Sequence, residues 1–240
     1  MQPELPFDAV LLDLDGVLVE SEGLIAQVWQ SVLAEYGLRL DLAEIAGQFT
    51  GQRFEGVLAY LGTQHAFVPP PGFLDTLETR FNAAMPGVTA IEGAAETLRA
   101  LRDSGVPFAI GSNSERERLH LKLRFAGLTE LAGEHAYDPS WVGGRGKPRP
   151  DLYAFAARQL GTVPERCVVI EDSVVGGAAG LAAGATLWGL LVPGHPHPDG
   201  GAALRQLGAA RVLTSHAELR QALSEAGLLS PVPAGTPDLS

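Results

Sequence analysis

The sequence predicts an α/β fold in which a parallel sheet has helices on both faces and is interrupted by a helical insertion. From about residue 91 onwards, short apolar runs of strand length alternate with segments of helical periodicity. Such alternation is typical of a parallel sheet that is covered by helices on both faces. Between residues 19 and 89 the pattern is helical, and the stretch from Asp41 to Met85 contains no convincing strand. This stretch is therefore predicted to be an insertion into the α/β core.

The individual elements are predicted as follows, in chain order. The first strand is Ala9–Leu12, a continuous apolar run with an abrupt acidic end, as expected of a buried parallel strand. Apolar side chains from Leu24 to Leu33 then recur at helical spacing, and Gly37 is the predicted stop of that helix. The later strands are predicted at 106–110, 167–170, 186–192 and 211–213. The later helices are predicted at 94–103, 115–125, 151–160, 174–183, 202–206 and 217–225.

The composition indicates a packed core and excludes some partners. Of the 240 residues, 46% are hydrophobic and 19% are charged, which favours a folded domain over disorder. The net charge of −11 argues against nucleic acids and anionic membranes as partners. No segment approaches the ~18 uninterrupted apolar residues of a membrane-spanning helix, and no signal peptide is apparent, so a cytoplasmic location is expected. The single cysteine, Cys167, lies in an apolar run, where a buried core residue is favoured over a nucleophile.

Polar side chains lie just beyond the ends of predicted strands, where ligands bind in open α/β sheets. Asp13 and Asp15 follow the first strand and are two residues apart. A buried pair of carboxylates repels unless a cation or a proton neutralises it, and ligands that offer only oxygen suit Mg²⁺. The alternative is a strand that ends in a solvated acidic turn, and the Asp-x-Asp pattern taken alone favours that alternative.

Three further segments carry the same kind of signal. Ser112 follows a strand and precedes a helix, where a hydroxyl and backbone N–H groups can hold phosphate oxygens, with Ser114 as a helix cap in the alternative interpretation. Lys147 lies in a proline-flanked loop whose spacing excludes a P-loop; its ammonium group can offset negative charge, or it is a solvated surface lysine. Glu171 and Asp172 end another apolar strand, and a helix cap is again the alternative. Four segments with polar side chains beyond the strands of one predicted sheet favour a shared site over four unrelated caps and surface turns.

In this order and context the four segments resemble the motifs of the haloacid-dehalogenase-like hydrolase superfamily. The matching segments are Asp13–Val17, Ser112, Lys147 and Glu171–Ser173, and the resemblance covers about residues 8–225. It implies a Rossmann-like core with an inserted helical cap, similar to the subgroup of β-phosphoglucomutase and sugar-phosphate phosphatases. The predicted domains are a core of residues 1–18 and 90–229, a cap of residues 19–89 and a flexible tail of residues 230–240.

The resemblance also implies a division of roles. Asp13 attacks phosphorus and forms an aspartyl-phosphate, and Asp15 protonates the leaving alcohol and then acts as a base. Ser112 and Asn113 hold phosphoryl oxygens, and Lys147 offsets their charge.

The cofactor that the resemblance implies is Mg²⁺. Its ligands are expected to be Asp13, the backbone carbonyl of Asp15, and Asp172. Glu171 is either a further ligand or a group that supports one.

The resemblance favours a phosphatase that acts on a small phosphorylated metabolite, a sugar phosphate, as a monomer or homodimer. Related dehalogenases lack the aspartate that corresponds to Asp15, so its presence here favours phosphoryl transfer over dehalogenation. Ile25 stands where β-phosphoglucomutases have a histidine, which favours a phosphatase over a mutase. A phosphoglucomutase-type isomerase and a non-catalytic binding protein remain the alternatives.

The expected cap supplies a second set of candidates. Arg53 is a candidate for substrate binding or a surface arginine, and Glu20-Ser21 and Pro86-Gly87 are the expected connections between cap and core. The two histidines of His195–Asp199 lack a third nitrogen or sulfur ligand, which favours a proline-rich loop over a metal site.

Overall fold

The computed structural model describes residues 7–49, 52, 54–193 and 199–229. The strands are β1 Ala9–Leu12, β2 Val19–Glu20, β3 Thr89–Ala90, β4 Phe108–Gly111, β5 Ala136–Tyr137, β6 Cys167–Glu171, β7 Thr186–Leu190 and β8 Arg211–Leu213. The helices of the first half are α1 Glu22–Glu35, α2 Leu42–Phe49, α3 Phe54–His65, α4 Phe73–Ala84 and α5 Ala94–Asp103. Those of the second half are α6 Arg116–Phe125, α7 Thr129–Ala132, α8 Asp151–Gln159, α9 Val174–Ala183, α10 Ala202–Leu207 and α11 His216–Glu225.

Six strands form one sheet in the order β5-β4-β1-β6-β7-β8, and every neighbouring pair is parallel. The predicted α/β fold class is confirmed. Strand β1 lies between β4 and β6, so the carboxyl ends of these three strands meet at the same edge of the sheet. The chemistry-bearing segments that follow these strands are brought together for this reason.

The sheet is buried on both faces, because helices pack on each of them, and successive side chains of a strand point to opposite faces. In β1, Val10 and Leu12 belong to one apolar cluster, which includes side chains of α5, α6 and α11. Ala9 and Leu11 belong to a second apolar cluster, which includes side chains of α8, α9 and α10. Both faces of β1 therefore need apolar residues, which explains the unbroken apolar run of this strand.

Helices α1–α4 contain an apolar cluster of their own. Its centre is Trp29, whose ring contacts the rings of Phe49, Phe54, Phe73 and Phe81. Strands β2 and β3, which pair antiparallel, connect this helical unit to the sheet. Among the described residues, no helix combines the length and the hydropathy of a membrane span.

Several predicted boundaries are wrong for local reasons. The strand predicted from residue 106 begins at Phe108, because the N–H of Val106 instead donates to Leu101 O (3.0 Å) and closes the turn after α5. The connections to the helical unit are Val19–Glu20 and Thr89–Ala90, whereas Pro86-Gly87 belongs to a short 3₁₀ turn. The predicted tail of residues 230–240 lies outside the described residues.

Candidate active site

The end of β1 leads directly into the candidate site. The N–H of Asp13 still donates to Ile170 O (3.0 Å), so Asp13 continues the register of the sheet. Gly16 has a φ of 77° and turns the chain away at once. A Cβ atom at Gly16 would overlap the carboxylate of Asp172, so this close approach of two segments requires glycine.

Lys147 joins two of the predicted carboxylates. Its Nζ donates to Asp13 Oδ1 (2.6 Å) and to Glu171 Oε1 (2.6 Å), and its side chain is almost fully buried. Burial alone would lower the pKa of Lys147, but the carboxylates of Asp13 and Glu171 outweigh it and raise this pKa to about 12. Burial, with the nearby charge of Glu171, raises the pKa of Asp13 to about 8. The interpretation of Lys147 as a solvated surface lysine is wrong.

Glu171 and Asp172 have different surroundings, although they are neighbours in sequence. Glu171 accepts hydrogen bonds at both oxygens, from Lys147 and Tyr153 (2.8 Å) at Oε1 and from Ser173 Oγ (3.0 Å) at Oε2. Asp172 Oδ2 is buried, and no described residue donates a hydrogen bond to it. Burial, with the carboxylate of Glu22 as the next cause, raises the pKa of Asp172 well above its usual range.

Three buried carboxylates fit a divalent cation. One oxygen each of Asp13, Glu171 and Asp172 lie within 4.8 Å of one another. An oxygen-only donor set with one unsatisfied buried oxygen is what a hard cation stabilises, since an unpaired buried carboxylate is costly. Both oxygens of Glu171 already accept hydrogen bonds, whereas Asp172 Oδ2 has no donor among the described residues and is the oxygen that a cation would satisfy.

Asp15 is held by four side-chain donors, of which only Ser112 was predicted to belong to the site. Oδ1 accepts from Ser21 Oγ and from Lys122 Nζ, and Oδ2 accepts from Ser112 Oγ (3.3 Å) and Ser114 Oγ (3.2 Å). Burial would raise the pKa of Asp15, but the Lys122 ammonium and these hydroxyls outweigh it and lower this pKa. Ser114 therefore donates to Asp15. The alternative interpretation of Ser114 as a helix cap is wrong, because α6 begins at Arg116 without a side-chain cap.

One compositional signal could have identified Lys122. The chain has seventeen basic side chains other than histidine, and only two of them, Lys122 and Lys147, are lysines. Both are buried, and each binds one carboxylate of the Asp-x-Asp segment. Ser21 left no comparable signal, because a serine before a helix is ordinarily expected to cap it.

The predicted substrate-binding residues have different outcomes. Asn113 lines the cavity, but its Oδ1 accepts from the N–H of Lys147 (2.8 Å) and its Nδ2 donates to Lys147 O (3.0 Å). Its amide group thus positions the backbone of Lys147. Arg53 and the segment 195–198 lie outside the described residues. Cys167 is fully buried in β6, where burial raises its pKa to about 12, as expected for a thiol in the core.

A cavity of about 500 Å³ lies between these side chains and the helical unit. Its size is that of a small-molecule site. Asp13, Asp15 and Lys147 line it from the sheet, and Ile25 lines it from α1.

Comparison with known proteins gives consistent results. Residues 7–184 match the family model of haloacid dehalogenase-like hydrolases. Hexitol phosphatase A of Escherichia coli (strain K12) is 32% identical over 174 residues, which cover 72% of this chain and 78% of that protein. The bifunctional riboflavin kinase/FMN phosphatase of Arabidopsis thaliana is 31% identical over 192 residues, which cover 78% of this chain. The match covers 48% of the Arabidopsis protein, so this chain spans about half of its length.

Among solved structures, a HAD family hydrolase from Deinococcus radiodurans R1 is 85% identical, with a TM-score of 0.83. The match covers 95% of this chain and 100% of that chain. That crystal structure contains bound phosphate and sodium.

Proposed function

Because this chain belongs to the haloacid dehalogenase-like hydrolase family and is a phosphatase, we propose that it hydrolyses a small phosphorylated metabolite through an aspartyl-phosphate on Asp13. The substrate class that we propose is a sugar phosphate, and the cofactor is Mg²⁺. The observation that carries this proposal is the contact of Lys147 with Asp13 beside the unsatisfied oxygen of Asp172. This contact supports the proposal because the side chains proposed as nucleophile, fixed positive charge and cation ligand all line one end of the cavity.

The proposed reaction has two steps, each with a role for Asp15. In the first step, a carboxylate oxygen of Asp13 attacks phosphorus, the ester P–O bond breaks, and Asp15 gives a proton to the leaving alcohol oxygen. In the second step, Asp15 takes a proton from water, the water oxygen attacks phosphorus, and the bond between Asp13 and phosphorus breaks. The Lys147 ammonium offsets the repulsion between a carboxylate and a phosphate anion.

Asp13, Asp172 and the backbone carbonyl of Asp15 would hold the Mg²⁺ ion. When bound, the ion supplies positive charge that stabilises both the carboxylates and the phosphoryl oxygens. The Deinococcus hydrolase, which is 85% identical, binds phosphate and sodium in its crystal structure and so supports sites for an anion and a cation here.

The proposal is tested by Asp13→Asn in a phosphate-release assay on a panel of phosphate monoesters, with and without Mg²⁺. We expect release that depends on Mg²⁺ and is abolished in Asp13→Asn, because an amide cannot form the phosphoryl ester. Asp8→Asn is the matched control, since Asp8 is an exposed carboxylate just before β1, at the opposite end of this strand. Full turnover by folded Asp13→Asn would show that Asp13 is not the nucleophile.

Ile25 disfavours a mutase activity, because it contributes a hydrocarbon side chain to the cavity at the position where β-phosphoglucomutases have a histidine. Incubation with hexose 1-phosphate and hexose 6-phosphate distinguishes the two activities. We expect free phosphate; interconversion of the two isomers without net phosphate release would instead establish the isomerase.

A further inference from the structure

The cavity has two chemically different ends. At the sheet it is lined by carboxylates, hydroxyls and lysines, as a phosphoryl site requires. At the helical unit it is lined mostly by hydrocarbon and aromatic side chains, among them Ile25, Trp29, Ile45, Phe49, Phe54 and Val57. A ligand that fills the cavity therefore places its phosphoryl group against the first end and its remaining part against the second.

The apolar end is a packed aromatic wall. The rings of Trp29 and Phe54 are stacked, with centroids 5.5 Å apart and planes 26° apart. Phe49 and Phe81 contact Trp29 edge-on at 5.1 and 5.9 Å. Trp29 is only 3% exposed, whereas Phe54 is 36% exposed, so Phe54 is the ring whose surface is most available to a ligand. Such a wall is held in place by its own contacts and offers a flat apolar surface.

Hydrogen-bonding groups are few on this side of the cavity. The polar lining residues between positions 21 and 85 that the structure describes are Ser21, Glu22, Gln52 and Glu55. From α6, Arg118 also lines the cavity, with its guanidinium 5.6 Å from the centre of the Phe81 ring. Ser21 already donates to Asp15. The hydroxyl groups of a bare sugar would each need a partner when buried here, and an apolar wall does not supply one. A flat ring needs no such partners and gains from stacking and from burial of its apolar surface.

We propose that the substrate is a phosphorylated sugar or sugar alcohol that carries a flat aromatic ring, and that this ring lies against Phe54 and the wall around Trp29. The inference rests on the proposed phosphatase function and adds the class of the alcohol. The polyol part spans the polar lining between the phosphoryl site and the wall. The ring itself has two common chemical sources, a nucleobase and a flavin, and the experiment separates them.

The test compares initial rates of phosphate release from two matched pairs of esters at saturating Mg²⁺. The first pair is uridine 5′-monophosphate and ribose 5-phosphate, and the second is riboflavin 5′-phosphate and ribitol 5-phosphate. We expect kcat/KM to be at least about tenfold higher for the ring-bearing ester in one of the pairs, which identifies the type of ring. Equal or faster turnover of the ring-free ester in both pairs overturns the inference and leaves the phosphatase intact. No release from these four or from any other monoester overturns both.

A variant locates the ring site. Phe54→Ala is expected to lower the ratio of kcat/KM between the ring-bearing and the ring-free ester by about tenfold, because the exposed ring of the wall is lost. Phe125→Ala is the matched control, since Phe125 is 37% exposed and lies on α6 outside the cavity lining; its ratio is expected to stay unchanged. A loss in Phe54→Ala that is equal for both esters contradicts a ring site at Phe54.

Discussion

Replacing Lys122 by methionine removes the ammonium group that binds Asp15 and keeps a side chain of similar volume. Lys122 is 2% exposed, and its Nζ donates to Asp15 Oδ1 and to Ser114 Oγ (2.9 Å). We infer that Lys122 acts through Asp15, because it holds the carboxylate that exchanges protons with the leaving alcohol and with water. Its loss should therefore reduce turnover more than substrate binding.

The size of the effect follows from the burial of the pair. A hydrogen bond between charged groups contributes about 1.5–3 kcal/mol. The side chain of Asp15 is 23% exposed, so water from the cavity replaces part of the lost interaction, and the lower half of that range applies. A cost of about 1.5–2 kcal/mol in the transition state corresponds to a decrease in kcat of about 10- to 30-fold.

The assay is steady-state phosphate release by Lys122→Met, with Arg124→Met as the control. Arg124 lies on the same helix and is exposed, so its replacement removes the same charge outside the site. We expect kcat to fall with KM changed less than about threefold, and we expect no further loss when Lys122→Met is added to Asp15→Asn. A rise in KM at constant kcat, or independent losses in the double variant, would refute the reasoning.

Three further predictions concern the support of the site and of the fold. Gly176→Ala should lower the free energy of unfolding by about 1–3 kcal/mol, because the new Cβ overlaps the Glu171 carboxylate. Gly47→Ala in α2 should raise it by about 0.5–1 kcal/mol, because a Cβ at Gly47 has no atom within 4 Å and alanine favours the helix. Urea denaturation measures both. Tyr153→Phe should cost about 1 kcal/mol by the same measurement and lower kcat by less than tenfold, since Lys147 still binds Glu171. Burial lowers the pKa of His216 below 6.5, so the unfolded chain binds a proton more readily than the folded chain. The midpoint temperature of thermal unfolding should therefore be lower at about pH 5.5 than at about pH 7.5. This difference should be smaller in His216→Gln.

The sequence predicted the sheet well where strands are long and apolar. β1 and β6 lie at the centre of the sheet, and their unbroken apolar runs are a direct consequence of burial on both faces. β5 was missed, because two residues at the edge of the sheet are too short to show any periodicity. α7 was missed for the same reason, since it has four residues.

The predicted site residues divide by the kind of signal they leave. Asp13, Lys147 and Asp172 follow strands or lie in a loop between them, and a topological rule brings such positions together without knowledge of side-chain contacts. Lys122 lies within α6, where a lysine among helical residues has no positional signal, and only the tertiary packing of α6 places it against Asp15. The aromatic wall has the same origin, because helical periodicity predicts which side chains are apolar but not which of them face a cavity.

The choice of lysine over arginine at both carboxylates has a physical explanation. The chain uses arginine at fifteen of its seventeen basic positions other than histidine, yet the side chains that bind Asp13 and Asp15 are both lysines. The ammonium of Lys147 donates to two carboxylates from different segments, with the ring of Tyr153 4.7 Å away. A compact charge with three donors around one nitrogen suits such converging acceptors, whereas the planar fork of arginine binds the two oxygens of one carboxylate and needs more room. In a chain that otherwise avoids lysine, its two lysines are therefore informative about the site even before the fold is known.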